Sequence, residues 1–152
     1  MQKNVFHGWL LVNKPAGVTS ADVVRALKKK FNPTKIGHAG TLDPDATGLM
    51  PLALGEATKT IPYLQKLKKK YQAVFLFGLK TDTDDVSGKT LRNSFYVPKK
   101  NEVLEGLKYY SEVMFQIPPK VSAVKVKGKR AYKLFKANED FRIEARNISI
   151  YD

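Results

Sequence analysis

The stretch KIGHAGTLDPDATGLM, Lys35 to Met50, gathers groups that can do chemistry. His38, Asp43 and Asp45 stand among glycines at 37, 40 and 48. Glycines let a backbone approach a ligand closely or adopt positive φ. Asp43-Pro44 is also an ordinary turn element, in which the Asp carboxylate accepts hydrogen bonds from nearby amides. The stretch by itself leaves both readings open. Other chemistries are easier to exclude. With 0 cysteines there is no disulfide and no thiolate, and with 2 histidines, His7 and His38, a histidine-rich metal site is not expected. SGKT, Ser87 to Thr90, ends like a phosphate-binding loop, but Thr83 stands where that pattern needs a glycine. DTDDVSG resembles a calcium loop, yet Val86 breaks the ligand spacing and Asn93 occupies the closing Glu position.

Regular elements must hold that stretch. GWLLV, Gly8 to Val12, reads as a short strand, and Gly48 to Gly55 as another with Pro51 near its start. Between them Thr19 is placed to cap a helix, with Asp22 in the fourth place of a capping box. Val23, Val24, Leu27 and Phe31 recur at helical spacing, which predicts an amphipathic helix from Ser20 to Lys30. The chemical stretch follows as a loop. Ala57 to Leu67 is expected to be helical, with Pro62 in an early turn where it is tolerated. YQAVFLFGLK, rich in aromatics and Val, reads as a buried strand, and TDTDDVSGK as a turn-rich loop. Val103, Leu104, Leu107 and Tyr110 predict a further helix. VSAVKVKGKR reads as a strand leading into a turn, AYKLFKA as a short helix, and FRIEARNISIYD as a final strand or bent pair of strands. Strands and helices mix without a strict βαβ rhythm. The expected class is therefore α+β, with a mixed, largely antiparallel sheet and flanking helices.

A chain of 152 residues, 43% of them hydrophobic, can build one domain around one core. No apolar run approaches the ~20 residues of a membrane span. The first residues lack the apolar region and cleavage site of a signal peptide. A soluble cytoplasmic protein is expected. Lys and Arg number 27 against 14 acids, a formal net charge of +13. That excess is the footprint of a polyanion binder, although a lysine-rich surface can also serve solubility.

Four segments then fall in one order: KPAGVTS (Lys14 to Ser20), GHAGTLDPDATG (Gly37 to Gly48), KLKKKYQA (66–73) and QIPPKVSAVKVKGKRAYKLFK (116–136). In order and spacing the chain resembles the TruB family of tRNA pseudouridine synthases, of the bacterial type. The signature GHxGTLDPxATG is matched without a gap. The resemblance implies a pseudouridine synthase catalytic-domain fold and an isomerase that uses no cofactor and no metal. It implies tRNA as partner, bound through the T-arm, and a monomer. A T-loop uridine, at the position called 55, would be converted to pseudouridine by breaking N1–C1′, rotating the uracil and rejoining it through C5. The resemblance makes Asp43 the catalytic group, adding to C6, attacking C1′ or removing the 2′ proton. It places His38 near the vacated space in the T-loop and Tyr71 on the flipped uracil. A tyrosine opening a strand would otherwise be core. Lys14 and Pro15 match a family pair, taken as loop support and phosphate contact. The runs Lys28 to Lys30, Lys66 to Lys70 and Lys125 to Arg130 are further candidates for phosphate. Residues from about 116 to 138 match the mobile insertion that clamps RNA.

Two departures stand out. After the "AY" of the insertion the family has AR, its arginine pairing with the catalytic aspartate; here Phe135-Lys136 follows Ala131-Tyr132. Lys136 keeps the charge and loses the two-pronged grip. The chain also ends at ISIYD, where family members continue for roughly as many residues again, with a GTYIR-like strand beside the site and often a small C-terminal RNA-binding domain. The expectation is a catalytic domain truncated on its C-terminal side. The other function class is a non-catalytic tRNA-binding or remodelling module, a fragment or reduced relative of the enzyme.

Overall fold

The computed structural model describes residues 3–112 and 115–151. It falls into two compact units, Met1–Tyr71 and Gln72–Asp152. The elements are α+β, and every named strand pair is antiparallel.

The first unit carries a three-stranded sheet in the order β1-β3-β2, formed by β1 (Gly8–Lys14), β2 (Ile36–His38) and β3 (Gly48–Leu54). Side chains alternate between faces along a strand. Leu10, Val12 and Lys14 of β1 therefore share a face, opposite Leu52, Met50 and Gly48 of β3. Met50 and Leu52 are buried on it, and Lys14 follows in phase with Leu10 and Val12. The other phase, Trp9 and Leu11, is exposed.

α1 (Ser20–Phe31) starts where its capping residues dictate. Thr19 Oγ1 accepts from the Asp22 amide at 3.1 Å, and Asp22 Oδ2 accepts from the Thr19 amide at 2.9 Å. The Thr19 hydroxyl also donates to Asp22 Oδ2 at 2.6 Å, and this bond, with that from the Thr19 amide, holds the Asp22 carboxyl below its usual range. Asn32, in the left-handed region at φ 44°, ends the helix. A 3-10 turn at Gly55–Thr60 and the short α2 (Ile61–Gln65) close the unit; the single helix expected over 57–67 is split between them.

Part of the chemical stretch is strand rather than loop. Ile36, Gly37 and His38 pair with Leu54, Ala53 and Leu52. The ladder ends on a one-sided contact: the Ala39 amide donates to Pro51 O at 3.0 Å, and Pro51 has no N–H to return. The N–H and C=O of one strand residue point the same way, so Pro51 turns this face toward β2 and leaves the ladder to β1 intact. A Cβ at Gly37 would lie 2.8 Å from Ile61 Cδ1, so a side chain there would displace that methyl.

The second unit holds β4 (Leu79–Thr81) paired with β5 (Thr90–Asn93), and α3 (Lys100–Ser111). β6 (Phe115–Gln116) pairs with β9 (Arg146–Asn147). A hairpin of β7 (Lys125–Val126) and β8 (Lys129–Arg130) leads into α4 (Ala131–Lys136), which buries Ala131 and Leu134. The final strand expected over 141–152 is confined to β9; Asp152 lies outside the described residues. The acidic loop is held by its own side chains: Asp85 Oδ1 accepts from Thr83 Oγ1 and from the amide and hydroxyl of Ser87, which keeps its carboxyl below the usual range. A buried strand over YQAVFLFGLK is not formed. Residues 72–78 have no ladder, and Val74, Phe75, Leu76 and Phe77 are exposed, Val74 to 97%. β-propensity favours a pleated surface only when a neighbouring strand supplies one, and pairing here begins at Leu79.

Candidate active site

Asp43 lies on the turn between β2 and β3. Its backbone carbonyl accepts from the Ala46 amide at 3.1 Å, which closes the turn. Its carboxylate is exposed and takes no hydrogen bond or ion pair from the described residues of its own unit. Among the described residues no nearby amide donates to the side chain, as one would in a turn-stabilising Asp.

The backbone on either side of Asp43 is held. Ser20, buried at the start of α1, has its Oγ 2.9 Å from both Leu42 O and Leu42 N. The hydroxyl donates to the carbonyl and accepts from the amide. On the other side Pro44 O accepts from the Gly17 amide at 2.9 Å and from Lys14 Nζ at 3.0 Å. Lys14 also donates to Pro15 O at 2.8 Å and Val18 O at 2.7 Å. An ammonium has three protons, and all three are used within the protein. Lys14 is 0% exposed. With its three protons taken by carbonyls of the loop, Lys14 is placed to support that loop. KPAGVTS thus forms a cradle under the Asp43 turn.

His38 ends β2. Its Nδ1 lies 2.6 Å from Gly40 O, and since a carbonyl can only accept, Nδ1 carries a proton. That bond orients the half-buried ring and leaves Nε2 as its other polar atom. A Cβ at Gly40 would meet nothing within 4 Å, so the backbone there has open space beside it. Tyr71 is 70% exposed and is not core. Lys136 sits exposed in the last turn of α4, in the second unit. Among the described residues no group of three or more His, Asp or Glu could hold a metal ion, and no helix is long and apolar enough to cross a membrane. The sequence reading missed Ser20. A serine in a first helical turn is common for local reasons, and its bond to Leu42 spans 22 residues.

Residues 28–152 match the model of the TruB family pseudouridylate synthase, N-terminal domain. The chain belongs to the TruB family. Over 145 residues it is 43% identical to a tRNA pseudouridine synthase B of Bradyrhizobium diazoefficiens, covering 95% of this chain and 42% of that protein. Over 142 residues it is 46% identical to a tRNA pseudouridine synthase B of Paracoccus denitrificans, covering 93% and 48%. The chain thus spans less than half the length of these TruB relatives. Among solved structures it is similar to a chain of a Cbf5–Nop10–Gar1 complex, at 27% identity and a TM-score of 0.51, covering 78% of this chain and 31% of that one. The α+β class agrees with that likeness.

Proposed function

We propose that this chain forms the N-terminal part of a tRNA pseudouridine synthase catalytic domain, and that Asp43 is its catalytic carboxylate. The observation that carries the reading is an exposed, unengaged carboxylate on a turn whose two flanking residues are each tied to the fold. Such a group is available to a substrate and already placed, which is what nucleophilic or base catalysis requires. The reaction breaks N1–C1′ of a T-loop uridine, forms C5–C1′, releases the C5 hydrogen as a proton and leaves a proton on N1. The reacting base leaves the folded T-loop to meet Asp43. His38 lies beside the space it vacates, and exposed Tyr71 stacks on it. Lys136 takes the place of the family arginine, and residues 116–138 clamp the RNA. The charge of +13 supplies the attraction to phosphate. The chain acts as a monomer in the cytoplasm, without metal or cofactor.

The complete catalytic domain extends beyond these residues. Two observations support this: the share of 42–48% in the relatives, and the exposed Val74, Phe75, Leu76 and Phe77, which have no partner strand among the described residues. The short share also supports a second reading, a tRNA-binding module without turnover. The test uses tRNA tritiated at C5 of uridine and the complete gene product. Tritium release that disappears in Asp43→Asn, with tRNA affinity kept within a few-fold, is the expected result. Release by Asp43→Asn at the wild-type rate would remove Asp43 from its role. Tight tRNA binding with no release by the wild type would establish the second reading.

A further inference from the structure

We propose that Ser20 is a positioning residue for Asp43: its hydroxyl sets where the carboxylate stands. The inference rests on the reading of Asp43 as the catalytic group. A hydroxyl has one proton and two lone pairs. Ser20 gives the proton to Leu42 O and accepts the Leu42 amide, each at 2.9 Å. Both backbone groups of Leu42 are thereby committed to one side chain, so neither dihedral of that residue can turn without losing a bond. The Leu42 carbonyl lies in the same planar peptide as the Asp43 nitrogen and Cα. The serine therefore acts on the Cα of Asp43 through a single rigid group. Downstream, Pro44 has its φ fixed by its ring, and its carbonyl is held by Lys14 and Gly17.

Ser20 is itself well placed to act as an anchor. It is 3% exposed and follows Thr19, whose reciprocal bonds with Asp22 fix the first turn of α1. The Thr19–Asp22 box is exposed and serves the helix alone, whereas the Ser20 hydroxyl leaves the helix for the loop. The Asp43 carboxylate has no bond of its own within its unit to correct an error in backbone placement. Its position is inherited from the peptides on either side.

The test compares Ser20→Ala, Ser20→Thr and Ser20→Cys in the complete gene product. It measures tritium release and amide hydrogen exchange at Leu42. In Ser20→Ala the Leu42 amide should exchange at least ~10-fold faster, and kcat per folded molecule should fall about 10²-fold, the cost of a misplacement near 1 Å, with KM for tRNA changed less than about two-fold. Ser20→Thr keeps the hydroxyl and should recover kcat to within a few-fold. If Ser20→Ala is insoluble, Ser20→Cys takes its place, since a thiol fills the volume and bonds weakly. A merely structural serine would lower the folded fraction and leave kcat per folded molecule unchanged; that result, or unaltered exchange at Leu42, overturns the proposal. If the wild type releases no tritium, the reading of Asp43 has failed. The exchange rates then judge the clasp alone, which slower exchange in wild type than in Ser20→Ala upholds and equal rates overturn.

Discussion

Replacing Lys14 by Met keeps an unbranched chain of similar length on the buried face of β1 and removes the three donors. The acceptors are not left equally exposed to the loss. Pro44 O retains the Gly17 amide. Pro15 O belongs to an exposed residue, where water can replace the ammonium, while Val18 O belongs to a half-buried one. An orphaned buried acceptor costs about 1–3 kcal/mol, and bonds to a charged donor stand at the upper end. Against this, the ammonium no longer has to be desolvated. A net loss of about 2 kcal/mol follows for the first unit. The only tryptophan, Trp9, lies on β1, so its fluorescence follows that unit. With a urea slope of about 1–2 kcal/mol per M for so small a unit, the midpoint should fall by about 1–2 M. Lys14→Arg should not restore it, because a planar guanidinium cannot direct its protons as the ammonium does. A midpoint in Lys14→Met within about 0.3 M of wild type would refute the argument that the three carbonyl bonds hold the loop.

Affinity for tRNA should fall steeply between about 50 and 200 mM salt, with about 0.7–0.9 of logarithmic slope for each phosphate neutralised; a flat titration would mark the lysines as a solubility device. Tyr71→Ala should weaken tRNA binding by roughly 1–3 kcal/mol while Tyr71→Phe keeps it, and because Tyr71 is exposed neither change should alter thermal stability measurably. Lys136→Ala should cost far more tritium release than Lys136→Arg, whose fork holds a carboxylate better than an ammonium does. Equal turnover by Lys136→Ala and wild type would make Lys136 an ordinary surface lysine.

What the sequence made legible was short-range. The Thr19–Asp22 box, the spacing of Val23, Val24 and Leu27, and the run GWLLV each depend on neighbours within a few residues, and α1 and β1 appear where those patterns predict them. The turn at Asp43-Pro44 was equally plain. Its supports were not. The resemblance offered Lys14 as loop support or phosphate contact, but not its burial in phase with Leu10 and Val12, and its bond to Pro44 O spans 30 residues. Composition also misled at 72–78, where Val and aromatics gave propensity without a partner for the ladder. At Ile36 to His38 the error ran the other way: glycine and histidine suggested loop, and β3 supplied the ladder.

Pro51 has a consequence for how this loop could change over time. A strand beside an open ladder tends to lengthen, since each added pair of residues gains backbone bonds. Here zippering meets a position that can accept and cannot donate, one residue past His38. Lengthening β2 into the segment that carries Asp43 therefore begins with a pair that lacks one of its two bonds, which disfavours that extension. Within that segment, substitutions away from Leu42, Asp43 and Pro44 change shape and charge without the loop being absorbed into regular structure. One missing amide hydrogen sets a lower limit on the length of the loop and insulates its evolution from that of the sheet.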